Sequence, residues 1–108
     1  MPDLLGLSGT GPVWGMASDD LNATLLVWPG GHELSEHTND ERDVLLVVLD
    51  GHAVVVVDGE EHALAAGNAL LIERGRSRSV RAGAEGVRYL SVHTRRHGLQ
   101  IEGLPAGG

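Results

Sequence analysis

The sequence lacks cysteine and lysine, and each absence narrows what the chain can do. Without cysteine, the 108 residues can form no disulfide, thiolate nucleophile or cysteine-ligated zinc site. All eight cationic side chains are arginines, and the formal net charge of −7 disfavours binding to nucleic acids or to an anionic membrane surface. No apolar run reaches the roughly 18 residues of a membrane-spanning helix, and no basic-then-apolar signal pattern stands at the N-terminus. We therefore expect a cytoplasmic protein that binds neither nucleic acids nor membranes.

Phenylalanine is also absent, whereas glycine is abundant. Sixteen glycines, beside two tryptophans and one tyrosine, indicate many turns and short strands rather than long helices. Runs bounded by glycine, proline or aspartate–glycine pairs predict strands at residues 21–28, 33–39, 44–49, 53–57, 61–64, 69–73, 79–82 and 87–93. Residues 33–39 are polar and look extended. The pairs Asp50–Gly51 and Asp58–Gly59 are expected to form hairpin turns. About eight such strands and no helix predict an all-β sandwich or barrel.

The chain is expected to hold one domain. The glycine-rich, weakly patterned residues 1–19 predict an N-terminal arm, residues 20–98 the barrel and residues 99–108 a C-terminal tail. The runs VLLVVL and AVVVV, which end before the two aspartate–glycine pairs, do not alternate apolar with polar residues, so both faces of these strands are expected to be covered. A homodimer that covers the outer face is the favoured explanation, and a covering segment such as Leu99–Leu104 is the alternative.

Two segments resemble a known protein family. Residues 31–51 read GHELSEHTNDERDVLLVVLDG and residues 67–82 read GNALLIERGRSRSVRA. Together with VDGEEHALAAG between them, they resemble the two sequence motifs and the spacer of the cupin superfamily. The resemblance covers about residues 20–94. It implies a small single-domain cupin with the double-stranded β-helix, a jelly-roll barrel.

The family's four metal-ligand positions are the part of the motifs that this sequence matches least. Only His37 keeps its place, the first histidine of the motif His-x-His. Asn39 occupies the position of the second histidine, and Arg78 occupies the position of the third histidine. Val44 occupies the position of the glutamate, and Asp43 lies one residue before it. A guanidinium stays protonated, offers only hydrogen-bond donors and repels a dication. We therefore expect no tightly bound metal and no cofactor.

Arg78 places a permanent positive charge where the family has an imidazole. If its side chain points into the barrel, burial without a partner costs several kcal/mol. Glu41, Asp43 or an anionic ligand would then have to lie beside it. If it points outward, it joins other arginines at the barrel mouth, namely Arg74, Arg76 and Arg81. Both directions stay open.

The predicted function is binding of a small, anionic organic metabolite in the barrel, with a pocket drawn from His37, Asn39, Glu41, Asp43, Arg78, Tyr89 and His93. If a reaction takes place, His37 would carry a proton and Arg78 would stabilise an oxyanion. One alternative is a metal-dependent cupin enzyme of the isomerase, cyclase or dioxygenase type. It would hold a divalent transition metal with His37, either Asp43 or Glu41, and His93. A second alternative is a non-catalytic oligomerisation domain, so enzymatic activity stays open.

Overall fold

The computed structural model describes residues 2–95 and contains seven β-strands and no helix in that range. None of these residues therefore belongs to a helix that could cross a membrane. Every strand pair is antiparallel. The strands are β1 (Gly11–Ala17), β2 (Leu21–Trp28), β3 (Glu33–Thr38), β4 (Val44–Val57), β5 (Glu60–Ala65), β6 (Ala69–Ile72) and β7 (Ser77–Thr94).

Two long strands, β4 and β7, run through both halves of the molecule. Residues 45–51 of β4 pair with residues 87–92 of β7, and residues 53–57 pair with residues 78–82. The first block joins β1, β2 and β6 in what we call the first sheet, with the order β1-β2-β7-β4-β6. The second block joins β3 and β5 in the second sheet, with the order β3-β7-β4-β5. The arrangement is the double-stranded β-helix, which confirms the predicted fold class.

The bends between the two sheets depend on glycine. Gly51 and Gly86 have φ angles of 79° and 93°, a left-handed region that favours glycine. A Cβ atom on Gly51 would collide with the carbonyl oxygen of Gly86, so the two bends touch backbone to backbone.

The two aspartate–glycine pairs have different outcomes. The hairpin predicted at Asp50–Gly51 is wrong, because the chain on both sides of the pair continues to pair with β7. Two predicted strands are therefore one strand, β4, and the predicted strands 79–82 and 87–93 are likewise parts of β7. The hairpin predicted at Asp58–Gly59 is confirmed, with φ angles of 49° and 85° between β4 and β5.

Strand β1 was not expected from the sequence. It lies within residues 1–19, the predicted arm, and pairs with β2 from Gly11–Val27 to Ala17–Asn22. Two glycines and a proline make its own β propensity weak, so pairing with β2 determines its conformation. The first sheet therefore begins inside the predicted arm. The predicted tail, residues 99–108, lies outside the described residues.

The core between the sheets is apolar except for the hydroxyl of Tyr89, and no charged side chain is buried among residues 2–95. In β4, Val44, Leu46 and Val48 point inward and are 2–3% exposed. Leu45 points outward and is 38% exposed. The single chain therefore covers the inner face of this apolar run but leaves part of its outer face open.

Candidate ligand-binding cavity

A cavity of about 410 Å³ opens between the two sheets. Leu26, Leu34, Leu46 and Val80 form its apolar lining. The polar lining groups are one imidazole, one guanidinium and five hydroxyls, and no carboxylate is among them; they belong to Thr24, Ser35, His37, Arg78, Ser79, Tyr89 and Ser91. A concave site of this size with a few convergent polar groups is typical of small-molecule binding.

His37 and Arg78 reach the cavity as cross-strand neighbours. Strands β3 and β7 pair Leu34 with Val80 and His37 with Arg78. Strand alternation alone would put residues 34 and 37 on opposite faces. An irregularity in β3 between these two residues, like a β-bulge, turns both side chains to the same face of the strand. His37 is exposed at the mouth of the cavity, while Arg78 is half-buried.

Arg78 faces the cavity without a carboxylate partner. The ion pairs among residues 2–95 join Arg76 to Asp58 and Glu73, and His62 to Glu60. Burial lowers the pKa of Arg78, and an interaction with Tyr89 opposes this shift. The guanidinium nevertheless stays protonated near neutral pH because its ordinary pKa is so high. The cavity thus contains a fixed, uncompensated positive charge.

Tyr89 contributes a buried hydroxyl from the first sheet. It is 4% exposed, and its oxygen accepts a hydrogen bond of 3.2 Å from the indole Nε1 of Trp28. Trp28 in turn stacks on His32, with ring centroids 4.2 Å apart. Burial raises the pKa of Tyr89, although the Trp28 hydrogen bond and the Arg78 charge act in the opposite direction. The hydroxyl therefore keeps its proton at neutral pH and can donate it in a hydrogen bond.

Three of the predicted ligand-binding residues lie in loops outside the cavity lining. The side-chain oxygen of Asn39 accepts hydrogen bonds from the backbone nitrogens of Glu41 and Arg42, at 3.0 and 3.2 Å, and so shapes the loop before β4. Asp43 accepts a hydrogen bond of 2.9 Å from the backbone nitrogen of Arg74. Glu41 is exposed in the same loop as Asn39. The structure therefore does not bring these three side chains into the cavity lining, and backbone nitrogens bind those of Asn39 and Asp43.

His93 also lies outside the cavity lining. Its Nε2 atom is 3.3 Å from the side-chain nitrogen of Asn22, and its Nδ1 atom is 3.0 Å from the carbonyl oxygen of Thr94. A hydrogen on Nδ1 satisfies both contacts, since Nδ1 then donates to Thr94 and Nε2 accepts from Asn22. Both ring nitrogens are thus occupied at the end of β7.

Several lining residues were not predicted. Thr24 and Leu26 reach the cavity because β2 pairs with β7 so that they share a face with Ser91 and Tyr89. Alternation along β2 is visible in the sequence, but nothing there shows which face of the strand turns inward. Nothing in the sequence predicts the hydrogen bond between Trp28 and Tyr89.

A protein-family model for the cupin domain matches residues 23–93. The chain belongs to the cupin family. Its fold resembles TT1209 from Thermus thermophilus, with 27% identity, a TM-score of 0.76 and coverage of 89% of this chain and 97% of that one. It also resembles KdgF from Halomonas sp., with 20% identity, a TM-score of 0.72 and coverage of 80% of each chain.

A eukaryotic cupin shares the same architecture. The cupin domain of Schizosaccharomyces pombe Cnp3 is 19% identical, with a TM-score of 0.71, and the match covers 77% of this chain and 63% of that one. Identities this low show the jelly-roll fold alone. No curated protein matches the chain in sequence.

The side chains of this cupin do not fit the metal that the family's motifs imply. Of the residues at the four ligand positions, only His37 has a good metal-binding group. Arg78 is its cross-strand neighbour, and the guanidinium repels a dication. No three His, Asp or Glu side chains come together in residues 2–95 in a way that could hold a metal ion. The alternative set of His37, Asp43 or Glu41, and His93 is therefore not brought together.

Proposed function

We propose that this cupin binds a small organic anion in its cavity, with Arg78 as the counter-ion and without a tightly held metal. The observation that carries the proposal is the half-buried Arg78 guanidinium, which faces a cavity lined by no carboxylate. A buried charge without a partner is costly. A ligand carboxylate would offset that cost and accept two parallel hydrogen bonds from the guanidinium.

Turnover of the anion is a separate part of the proposal. His37 lies across the strand pair from Arg78, so an anion held by Arg78 would lie near an imidazole that can carry a proton. Arg78 would then stabilise negative charge that develops on the ligand. A purely structural oligomerisation domain, the remaining alternative, would show no dependence on anions. A cytoplasmic location and the lack of nucleic-acid or membrane partners stay predictions from the sequence.

A thermal-shift screen tests the proposal directly. Acetate, butyrate, benzoate, succinate and 2-oxobutyrate are compared with sodium chloride of equal ionic strength. Ligand at a hundred times its Kd stabilises the native state by about 2.7 kcal/mol, which raises Tm by several degrees. We expect such a rise in the wild type, none in Arg78→Met, and a full rise in the matched control Arg81→Met, which removes an exposed arginine from the same strand. No rise with any carboxylate, or an equal rise in Arg78→Met, contradicts the proposal.

Elemental analysis tests the statement about the metal. Protein purified without a metal-affinity column is expected to contain far less than one equivalent of iron, manganese, nickel or zinc per chain. One equivalent that survives dialysis would favour the metal-dependent alternative.

We also infer that the outer face of the first sheet packs against the same face of a second copy. Strand pairing aligns two apolar rows across all five strands of this sheet. They are Leu71, Leu45, Val92, Ala23 and Met16, and Ala69, Val47, Leu90, Leu25 and Trp14. We call these two rows the apolar face. Leu71 and Met16, at the two ends of the first row, are 57% and 60% exposed, whereas Leu25 in the second row is already fully buried within the single chain.

A second copy fits the apolar face better than a charged partner does. Neither row contains a charged residue, so two chains that each carry a net charge of −7 can meet here without opposing like charges. Sheets pack face to face about 10 Å apart, and a two-fold axis makes any such face its own complement. Five strands spaced about 4.8 Å apart make the face roughly 20 Å wide.

A further inference from the structure

The hydroxyl hydrogen of Tyr89 has no protein acceptor in the described part of the chain. The phenol oxygen already accepts the indole hydrogen of Trp28, so the hydroxyl must direct its own hydrogen away from that ring. Trp28 cannot easily turn aside, because it stacks on His32 with an angle of 1° between the ring planes. The free direction leads into the cavity, which Tyr89 lines. Trp28 thus orients a donor towards whatever the cavity holds.

Tyr89 and Arg78 approach the same ligand volume from opposite walls. Arg78 belongs to the part of β7 in the second sheet, and Tyr89 belongs to the part of β7 in the first sheet. Facing sheets lie about 10 Å apart, a distance that one arginine and one tyrosine side chain together span. Both side chains belong to the lining of the same cavity. Two donors therefore converge where the lining has no carboxylate to accept them.

We propose that the cavity prefers carboxylic acids with a second oxygen acceptor on the carbon next to the carboxylate, that is, 2-oxo and 2-hydroxy acids. Arg78 binds the carboxylate, Tyr89 donates to the second oxygen, and Trp28 acts as a positioning residue. This inference rests on the proposed function. A plain carboxylate would leave the Tyr89 hydroxyl without an acceptor at a site that is only 4% exposed, which weakens binding.

The remaining lining indicates which probes to use. Leu26, Leu34 and Leu46 offer an apolar surface for a short alkyl chain. Butyrate and 2-oxobutyrate share the alkyl chain and the carboxylate and differ in the oxygen on carbon 2. This pair therefore isolates the contribution of the second acceptor.

Calorimetric titration of both acids into three proteins tests the inference. The wild type is expected to bind 2-oxobutyrate about tenfold more tightly than butyrate, the effect of one well-placed hydrogen bond. Tyr89→Phe is expected to bind the two acids equally and to bind butyrate at least as tightly as the wild type does. Trp28→Phe keeps an aromatic ring to stack on His32 but removes the indole hydrogen, so the preference is expected to shrink to a few-fold.

The outcomes separate this inference from the proposed function. A tenfold preference that survives in Tyr89→Phe, or equal affinity of the wild type for both acids, overturns the inference and leaves anion binding intact. No binding of either acid overturns it as well, and the wider carboxylate screen then decides the proposed function. Circular dichroism checks that each variant folds. If Tyr89→Phe does not fold, an unchanged tenfold preference in Trp28→Phe is the overturning result.

Discussion

The half-buried guanidinium of Arg78 imposes an electrostatic cost on the ligand-free protein. Replacement of buried charges by apolar groups of similar volume is often neutral or stabilising. We therefore expect Arg78→Met, without any carboxylate present, to be as stable as the wild type or more stable by about 1 kcal/mol, since half of the side chain is already solvated. Urea unfolding in a carboxylate-free buffer measures the difference. A clear loss of stability in Arg78→Met, with Arg81→Met unchanged, would mean that Arg78 already has a stabilising partner in the free chain.

For single residues, the sequence indicated which ones could bind a ligand better than it indicated where their side chains lie. Motif spacing drew attention to His37 and Arg78, and the structure brings both to the cavity. The direction of Arg78 stayed open because nothing in the local sequence shows which face of β7 turns inward. Alternation along β7 puts Arg78 on the same face as the buried Val80. Asn39 and Asp43 were assigned to the pocket from the same spacing. Their side chains instead bind backbone nitrogens of nearby loops, and short-range hydrogen bonds of this kind compete with any role in a cavity.

Among the structural elements, the bend of β4 should tolerate almost no side chain. Gly51→Ala combines a φ angle of 79° with a collision against the Gly86 carbonyl. We expect a loss of more than about 3 kcal/mol, or failure to fold. Gly59→Ala is the matched control, because its φ angle is 85° but no atom lies within 4 Å of the added methyl group. It should cost only the strain of the left-handed backbone, about 1 kcal/mol.

Circular dichroism during urea denaturation measures both glycine variants. Equal losses in Gly51→Ala and Gly59→Ala would show that backbone strain, rather than contact between the two bends, accounts for the glycine at residue 51.

The turn between β4 and β5 predicts a dependence of stability on pH. The carboxylate of Asp58 accepts hydrogen bonds from the backbone nitrogen of Ser77 at 2.9 Å and from Arg76 at 3.1 Å. These two contacts, in that order, lower the pKa of Asp58 below its ordinary value of 3.8. Because the pKa of Asp58 is lower in the folded state, its ionised carboxylate stabilises the fold fully above pH 3.8. This stability is lost as the pH falls through the pKa of the folded state.

Asp58→Asn tests this dependence, because asparagine also tolerates a positive φ angle but does not ionise. We expect the wild type to have a higher Tm than Asp58→Asn near neutral pH. The difference should shrink as the pH falls below about 4. Melting curves recorded over this pH range give Tm for both proteins. A constant difference in Tm at all pH values would exclude an ionic contribution from Asp58.

The two aspartate–glycine pairs show where prediction of the elements reached its limit. Both pairs follow a valine- or leucine-rich run, and both glycines adopt a positive φ angle. Only Asp58–Gly59 reverses the chain. At Asp50–Gly51 the pairing of β4 with β7 on both sides of the pair keeps the strand continuous. Long-range strand pairing, which the local sequence does not encode, decides between a hairpin and a bend.

For the whole molecule, the apolar face predicts a homodimer. Light scattering coupled to gel filtration is expected to give the mass of two chains for the wild type and one chain for Leu71→Glu, since burying an unpaired carboxylate in the interface is unfavourable. Ala63→Glu is the control, because Ala63 is exposed on β5 of the second sheet, away from the apolar face. A wild type that stays monomeric at high concentration, or a dimer that Leu71→Glu leaves intact, would count against the proposed interface.

The passage of β4 and β7 through both sheets has a mechanical consequence. The wall that carries Arg78 and the wall that carries Tyr89 are stretches of one strand, and the same partner strand crosses both. The two walls are thus covalently continuous, and any change in their separation has to bend β4 and β7 together at Gly51 and Gly86. Because these two bends touch backbone to backbone, we expect the width of the cavity to change little. If the cavity binds organic acids as proposed, bulky ones are expected to bind weakly, however well their carboxylates would suit Arg78.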